Sequence, residues 1–271
     1  MYGVWTATEM TITENELIIN SALLEREVIC TLFIPDEPGA LQPLNLLLLN
    51  DGQEAEALGL KQTLYDLHNS NRIKPLVVIG IHAGKERLQE YGVAGRPDFK
   101  KRGAKAGLYS QFIIEELMPA IAELFPSQEF ETVAYAGFSL GGLSALDIAW
   151  NNPQVFSKAG VFSGSFWWRS KELGKGYTDA DRIAHTMIRE TAAKPDLKFW
   201  LQTGTKDEIA DRNKNGIIDS IDDTIDMVKE LEKKGYKRPE DIRYVEMVGG
   251  GHNPDTWAKA MPKFLYWAFG K

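Results

Sequence analysis

Short runs of apolar residues alternate along the chain with stretches in which apolar positions recur every three or four residues. The runs are Val28 to Ile34, Leu44 to Leu49, Leu76 to Ile81, Thr132 to Ala136, Ala159 to Phe162, Leu197 to Gln202 and Ile242 to Val248. They have strand length, and the central ones are continuous, as in strands buried on both faces. Between them Leu108, Phe112, Ile113, Leu117, Ile121 and Leu124 mark one helical face, and Ile221, Ile225, Val228 and Leu231 mark another that Gly235 closes. This alternation predicts an α/β fold, a mostly parallel sheet with helices on both faces. The first quarter departs from the rhythm. Met10 to Ile12 and Glu16 to Asn20 read as two strand-like runs separated by a polar turn, which places an antiparallel edge on the sheet. No repeat or compositional break divides the chain, and Glu37 to Pro43 is too short to be a domain linker. Residues 1–271 therefore read as one domain with a lid-like insertion around 166–190.

Charge narrows the class of partner. Lys and Arg number 31 against 38 Asp and Glu, a net charge of −7, the wrong sign for a surface that neutralises phosphates. Nucleic acid and anionic membranes are not expected partners, and no apolar stretch approaches the length of a membrane span. Cys30 is the only cysteine, so neither an intrachain disulfide nor a clustered thiolate metal site can form. It alternates with Val28 and Leu32 and reads as a small buried hydrophobe. Met1 to Thr13 lacks a basic start followed by an apolar run; the expected location is the cytoplasm, or the periplasm or exterior if a leader has been removed.

The chemistry concentrates after the strand Thr132 to Ala136. There Gly137-Phe138-Ser139-Leu140-Gly141-Gly142 leads into a helical stretch, Leu143 to Trp150, so a G-x-S-x-G pattern stands between a strand and a helix. Glycines two places before and after the serine permit a sharp turn that projects the Ser139 hydroxyl above the sheet edge. The helix N-terminus beside it favours a developing oxyanion. A glycine-rich turn with an incidental serine is the alternative, and the test between them is whether a base is at hand. Of the four histidines, His68 and His185 lie in polar or charged segments and read as surface residues, while His82 follows Leu76 to Ile81 and can line the same sheet edge. His252 follows the last strand behind Gly249-Gly250-Gly251 and precedes an amphipathic helix from Asp255 to Phe269. It stands where the serine–acid–histidine chain order of the α/β-hydrolase fold places the base. The acid belongs on the loop after Leu197 to Gln202; Asp207 is chosen over Glu208 and Asp211 because a glycine turn puts it at the strand end. The backbone N–H groups of Leu140 and of Gln53, in Leu49-Asn50-Asp51-Gly52-Gln53, are the candidate oxyanion donors.

With these motifs on the page, the chain resembles the putative esterase family of α/β-hydrolases, which includes esterase D, feruloyl and acetyl xylan esterases and enterochelin esterases. The likeness runs from about Ser21 to the C-terminus. It rests on Leu47 to Gln53, Arg87 to Tyr91, Phe112 to Pro119, Gly137 to Gly142, Ser163 to Trp168, and Gly250-Gly251-His252 followed by Trp257 and Pro262. The resemblance implies an α/β-hydrolase fold and a serine carboxylesterase with Ser139, Asp207 and His252 as its triad and no cofactor in catalysis. It also implies that Arg87 and Glu90 are paired structural or pocket residues and that Trp167 and Trp168 wall the site, with core packing the alternative for the tryptophans. Candidate substrate contacts are Trp167, Trp168, Arg87, Tyr91 and His82, with Phe166 a further ring that could stack. The expected partner is a small-molecule ester, such as a carbohydrate-derived acetyl or feruloyl ester. A thioesterase or acyltransferase of the same fold, and a non-catalytic ligand-binding member, are the alternatives.

One segment carries a second pattern. Asp211, Asn213, Asn215, Gly216, Asp219 and Asp222 fit positions 1, 3, 5, 6, 9 and 12 of a calcium loop, with the Ile217 carbonyl at position 7. Asp222 replaces the usual bidentate Glu, and Arg212 and Lys214 add positive charge. A single structural calcium ion that stiffens the loop carrying Asp207 is the expectation, and a solvated Asn/Asp-rich turn the alternative.

Overall fold

In a computed structural model of the chain, residues 9–36, 43–126 and 128–271 are described. The leader reading at Met1 to Thr13 and the connection from Glu37 to Pro43 therefore lie largely outside the described residues. The strands are β1 (Ile12–Ser21), β2 (Arg26–Pro35), β3 (Leu44–Asn50), β4 (Leu76–Ile81), β5 (Phe130–Phe138), β6 (Lys158–Phe162), β7 (Lys198–Lys206) and β8 (Ile242–Gly251). They form one sheet in the order β1-β2-β4-β3-β5-β6-β7-β8. β1 and β2 pair antiparallel to each other and β2 antiparallel to β4, whereas β4 through β8 run parallel. Every residue of β3 and β4 is buried, which is why these strands read as unbroken apolar runs.

The helices are α1 (Leu60–Asn69), α2 (Arg87–Glu90), α3 (Ala106–Gln111), α4 (Met118–Leu124), α5 (Leu140–Asn151), α6 (Ile183–Glu190), α7 (Asp219–Lys233) and α8 (Pro254–Phe269). Leu60, Leu64 and Leu67 of α1 and Met261, Phe264 and Leu265 of α8 close a core on one face of the sheet. On the other face α5 is buried along almost its whole length and shares a second core with Tyr109, Phe112 and Leu117 and with Ile188 and Met227. No helix among the described residues is long and apolar enough to cross a membrane.

Three sequence expectations change. The two N-terminal runs are one strand, because Glu14, Asn15 and Glu16 pair in register with Phe33, Leu32 and Thr31 and turn their side chains to solvent at the sheet's edge. The helix expected from Leu108 to Leu124 is α3 and α4 joined by a widened π-helical stretch, Phe112–Leu117. Pro119, which has no N–H to give to the preceding turn, follows that stretch. The lid-like insertion is anchored at both ends: Phe166 and Trp168 are buried, as are Arg182 to His185, and the longest mostly exposed run is 170–180, with Arg189 and Glu190 exposed at the end of α6.

Candidate active site

The turn after β5 is built around strain at Ser139, whose φ of 53° and ψ of −120° are a conformation that few side chains adopt. Its neighbours must be glycines. A Cβ on Gly137 would overlap the Gly141 carbonyl, and one on Gly141 would stand 2.5 Å from the Asp51 Oδ2. Ser139 N–H donates to the Phe162 carbonyl (2.8 Å), and the Ser139 carbonyl accepts from Gly142 and Leu143 (3.2 Å each) and from Ser165 (3.1 Å). The half-buried Ser139 hydroxyl lies 3.4 Å from the Ser165 hydroxyl. Because the bonds of α5 begin at Gly142, the N–H of Leu140 lies in the first turn, where no intrahelical acceptor exists.

Across from the turn, the end of β3 is fixed from below. Asn50, wholly buried, donates to the Gly141 carbonyl (2.8 Å) and accepts from the hydroxyls of Tyr109 (2.7 Å) and Tyr135 (2.8 Å). Asp51, at φ 60°, opens a single 3-10 turn over Gly52–Glu54 that carries the Gln53 N–H. A Cβ on Gly52 would overlap the backbone of Gly80 in β4, so the loop lies directly on the sheet. Arg87 grips the Asp51 carboxylate through two bonds, 2.6 and 2.8 Å, and lies over the Tyr91 ring at 5.0 Å. The Gln53 side chain is spent on the loop itself, its Oε1 accepting from Ala83 N–H at 3.0 Å.

The candidate acid and base come from the other end of the sheet. Asp207 follows β7 and His252 stands between β8 and α8; with Ser163, Gly164, Trp167, Glu208 and Ser220 they line a pocket of 210 Å³. Asp207 Oδ2 accepts from Gly204 N–H (3.0 Å), while its buried Oδ1 has no partner among the described residues. Gly204 lets this happen, since a Cβ there would stand 2.6 Å from Oδ1. Burial raises the Asp207 pKa above the usual carboxylate value, against the opposing pull of the Gly204 N–H, the Ser163 hydroxyl and His252. His252, exposed at the mouth, meets Trp257 edge to face (centroids 5.4 Å, 78°). Trp257 in turn donates to the Ser163 hydroxyl (3.0 Å) and stacks on Phe138, the residue before Ser139. Partial desolvation lowers the imidazole pKa; Asp207 opposes this, and the charge of Arg87 adds to it.

Other candidates are redistributed. Trp167 is half-buried on the pocket, with the Arg102 guanidinium over its ring at 4.9 Å. Trp168, Tyr91 and Phe166 are wholly buried and serve the core, so none can stack on a substrate. Arg87 and Glu90 are not partners: Arg87 holds Asp51, and Glu90 takes two bonds from Arg26 (2.8 and 2.7 Å). His82 turns to the antiparallel edge, where it bonds to Thr31 Oγ1 at 2.8 Å and feels the charge of Glu16. His68 and His185 are buried rather than exposed, and burial pushes their pKa values down to about 4 and about 3. Asn50 is the residue that sequence reading missed. Its signal was a lone amide closing an otherwise leucine-filled strand end.

In the 211–222 loop each carboxylate is engaged separately. Asp211 accepts from the N–H groups of Asn215 (3.1 Å) and Gly216 (2.9 Å), and Asp222 from the amides of Asn213 (2.9 Å) and Asn215 (2.7 Å). Asp219 takes the Arg212 N–H (2.9 Å) and guanidinium (3.3 Å), and the Ile217 N–H goes to Asn215 Oδ1 (2.8 Å). Among the described residues no three His, Cys, Asp or Glu side chains form a metal-binding group. Arg212 clamps the turn through Asp219.

Comparison with known proteins adds to this geometry. A family model described as Putative esterase matches residues 21–268. The iron(III) salmochelin esterase of Escherichia coli is 32% identical over 148 residues, which are 53% of this chain and 34% of that protein. An enterobactin esterase from Shigella flexneri, solved in the presence of enterobactin, superposes with a TM-score of 0.73 at 20% identity, covering 95% of this chain and 58% of that one. A ferulic acid esterase superposes with a TM-score of 0.70 at 16% identity and covers 96% and 98% of the two chains. The matches thus span 34% and 58% of the two siderophore esterases, which are longer proteins.

Proposed function

The chain belongs to the putative esterase family, an α/β-hydrolase family, and from that premise we propose that it is a serine carboxylesterase working through an acyl-enzyme. The observation that carries the reading is the strained backbone at Ser139, held at a helix N-terminus above the strand ends. Strain of this kind persists where a side chain must be presented to a reaction. His252 takes the Ser139 proton as the hydroxyl attacks the ester carbonyl, and the N–H groups of Leu140 and Gln53 hold the oxyanion. His252 then returns the proton to the leaving alcohol and activates the water that releases the acid. The unpaired Oδ1 of Asp207 supplies the acceptor that orients the imidazole and stabilises its charged form. Every group comes from the chain, so the reaction calls for no cofactor.

Trp167 and Glu208 in the same pocket favour a small ester with an aromatic or hydroxyl-bearing part, such as a feruloyl or acetyl ester of a carbohydrate. Short p-nitrophenyl esters should be hydrolysed, and Ser139→Ala should lower the rate by roughly 10⁶-fold. Undiminished turnover in that variant, or no labelling of the parent by a fluorophosphonate, removes the proposal. A panel of acetyl, feruloyl and longer acyl esters then ranks the acyl groups.

A further inference from the structure

Far from Ser139, at the opposite end of the sheet, lies a groove of 440 Å³ between α8 and the edge strand β8. Its walls are the rings of Trp200, Tyr266 and Trp267, and the cations Arg72, Arg243 and Lys263 converge on it. Among the described residues no carboxylate lines it, although the protein carries a net charge of −7. Arg243 stands beside Trp200 in the β7–β8 register, and Lys263 lies one turn before Trp267 on α8. The Trp200 and Trp267 rings lie 5.9 Å apart, inclined at 47°, and the Arg72 guanidinium covers the Tyr266 ring at 4.7 Å.

One polar group beneath the groove is unsatisfied. Trp200 is only 2% exposed, and its indole N–H has no hydrogen-bond partner among the described residues. A donor left buried and unpaired is costly, so it favours negative charge arriving beside it. Arg243 lies nine residues before His252, roughly 30 Å along the strand, so an occupant here cannot also touch the catalytic pocket.

We propose that this groove is a second binding site, for a planar aromatic carboxylate. The ring of the ligand stacks against Trp267 and Tyr266, and its carboxylate faces Arg243 and Lys263 beside the Trp200 indole. An inorganic anion gains nothing from the aromatic walls, and a neutral ring forgoes the charge pairing that three cations offer. The inference stands apart from the esterase reading, since none of its residues belongs to the proposed reaction.

The test is a titration of the full chain, ¹⁵N-labelled at tryptophan, with 2-naphthoate, 2-naphthamide and inorganic phosphate. Naphthoate should shift the Trp200 indole N–H resonance and saturate; the amide should bind at least tenfold more weakly, and phosphate should leave the resonance in place. Arg243→Ala and Lys263→Ala, both at exposed positions, should each weaken naphthoate roughly threefold to tenfold by calorimetry with melting temperatures unchanged. Ser139→Ala should bind as the parent does. The proposal is overturned if the amide binds as well as the carboxylate, if phosphate alone moves the resonance, if both cation variants bind within twofold of the parent, or if Ser139→Ala abolishes binding.

Discussion

On the β3–β5 side of the catalytic pocket, Asn50, Asp51, Tyr109, Tyr135 and Arg87 satisfy one another through short bonds beneath the strained Ser139. On the β7–β8 side, Asp207 keeps a buried carboxylate oxygen unpaired and His252 stands exposed after three consecutive glycines. The difference fits what each half does in the proposed reaction. A strained turn survives only where its surroundings over-determine it, so the nucleophile needs a saturated network. A base that swings a proton between serine, leaving group and water needs an orienting acceptor more than a rigid seat. Its hydrogen bonds commonly tighten only once substrate excludes water.

Variants should separate the two sides. Asp207→Asn removes the orienting charge without disturbing packing, and kcat should fall by roughly 10⁴ while the melting temperature stays within a degree or two. Asn50→Leu should strike both quantities. It leaves the Tyr109 and Tyr135 hydroxyls and the Gly141 carbonyl without their partner, a loss of roughly 3–5 kcal/mol. Thermal melting should then fall by about 6–15 °C, with kcat reduced as the turn relaxes. An unchanged melting temperature for Asn50→Leu would erase the distinction between the halves.

Smaller effects sharpen it. In the proposed reaction His252 must be neutral, so kcat/KM should rise with pH and reach half its plateau below the ordinary imidazole value of 6.5, because partial desolvation and Arg87 lower the pKa. Asp207 raises that pKa and Arg87 lowers it, so Asp207→Asn should move the acid limb further down and Arg87→Gln should move it up. Limbs that stay where the parent's lies in both variants would show that neither charge reaches the imidazole. The smallest expected effect is that of calcium. With Asp219 held by Arg212 and Asp222 by two amides, melting curves in calcium and in chelator should agree within about 1 °C. A rise of several degrees would restore an ion to the loop.

What could be read from the sequence was what is local. Ser139 and its glycines declare a turn within six residues, and β3 and β4 stand out because unbroken apolar runs fit only strands covered on both faces. The pairings Arg26–Glu90 and Arg87–Asp51 join residues 64 and 36 positions apart, and adjacency of Arg87 to Glu90 on one short helix suggested the wrong partner. Phe166, Trp167 and Trp168 form an aromatic run in which only tertiary packing decides which ring faces the pocket. Polarity misled in both directions. Glu14 to Glu16 were polar because β1 is an edge strand, and His185 is buried although Thr186 and Arg189 beside it are polar, its Nε2 bonded to the Asp223 carbonyl at 2.8 Å.

The contact between Gly52 and Gly80 sets a limit on how this scaffold can be remodelled. A methyl on Gly52 would stand 2.1 Å from the Gly80 carbonyl carbon and drive loop and sheet apart, whereas one on Gly80 would meet the Gly52 Cα at 3.0 Å and need a smaller shift; the Gln53 amide would travel with the loop. Libraries that aim to change substrate choice can therefore diversify the exposed positions 53, 56 and 57 in chemistry but not the height of the loop, and they leave the buried Ala55 and Leu58 to the core. Gly52 is the pin on which that height depends.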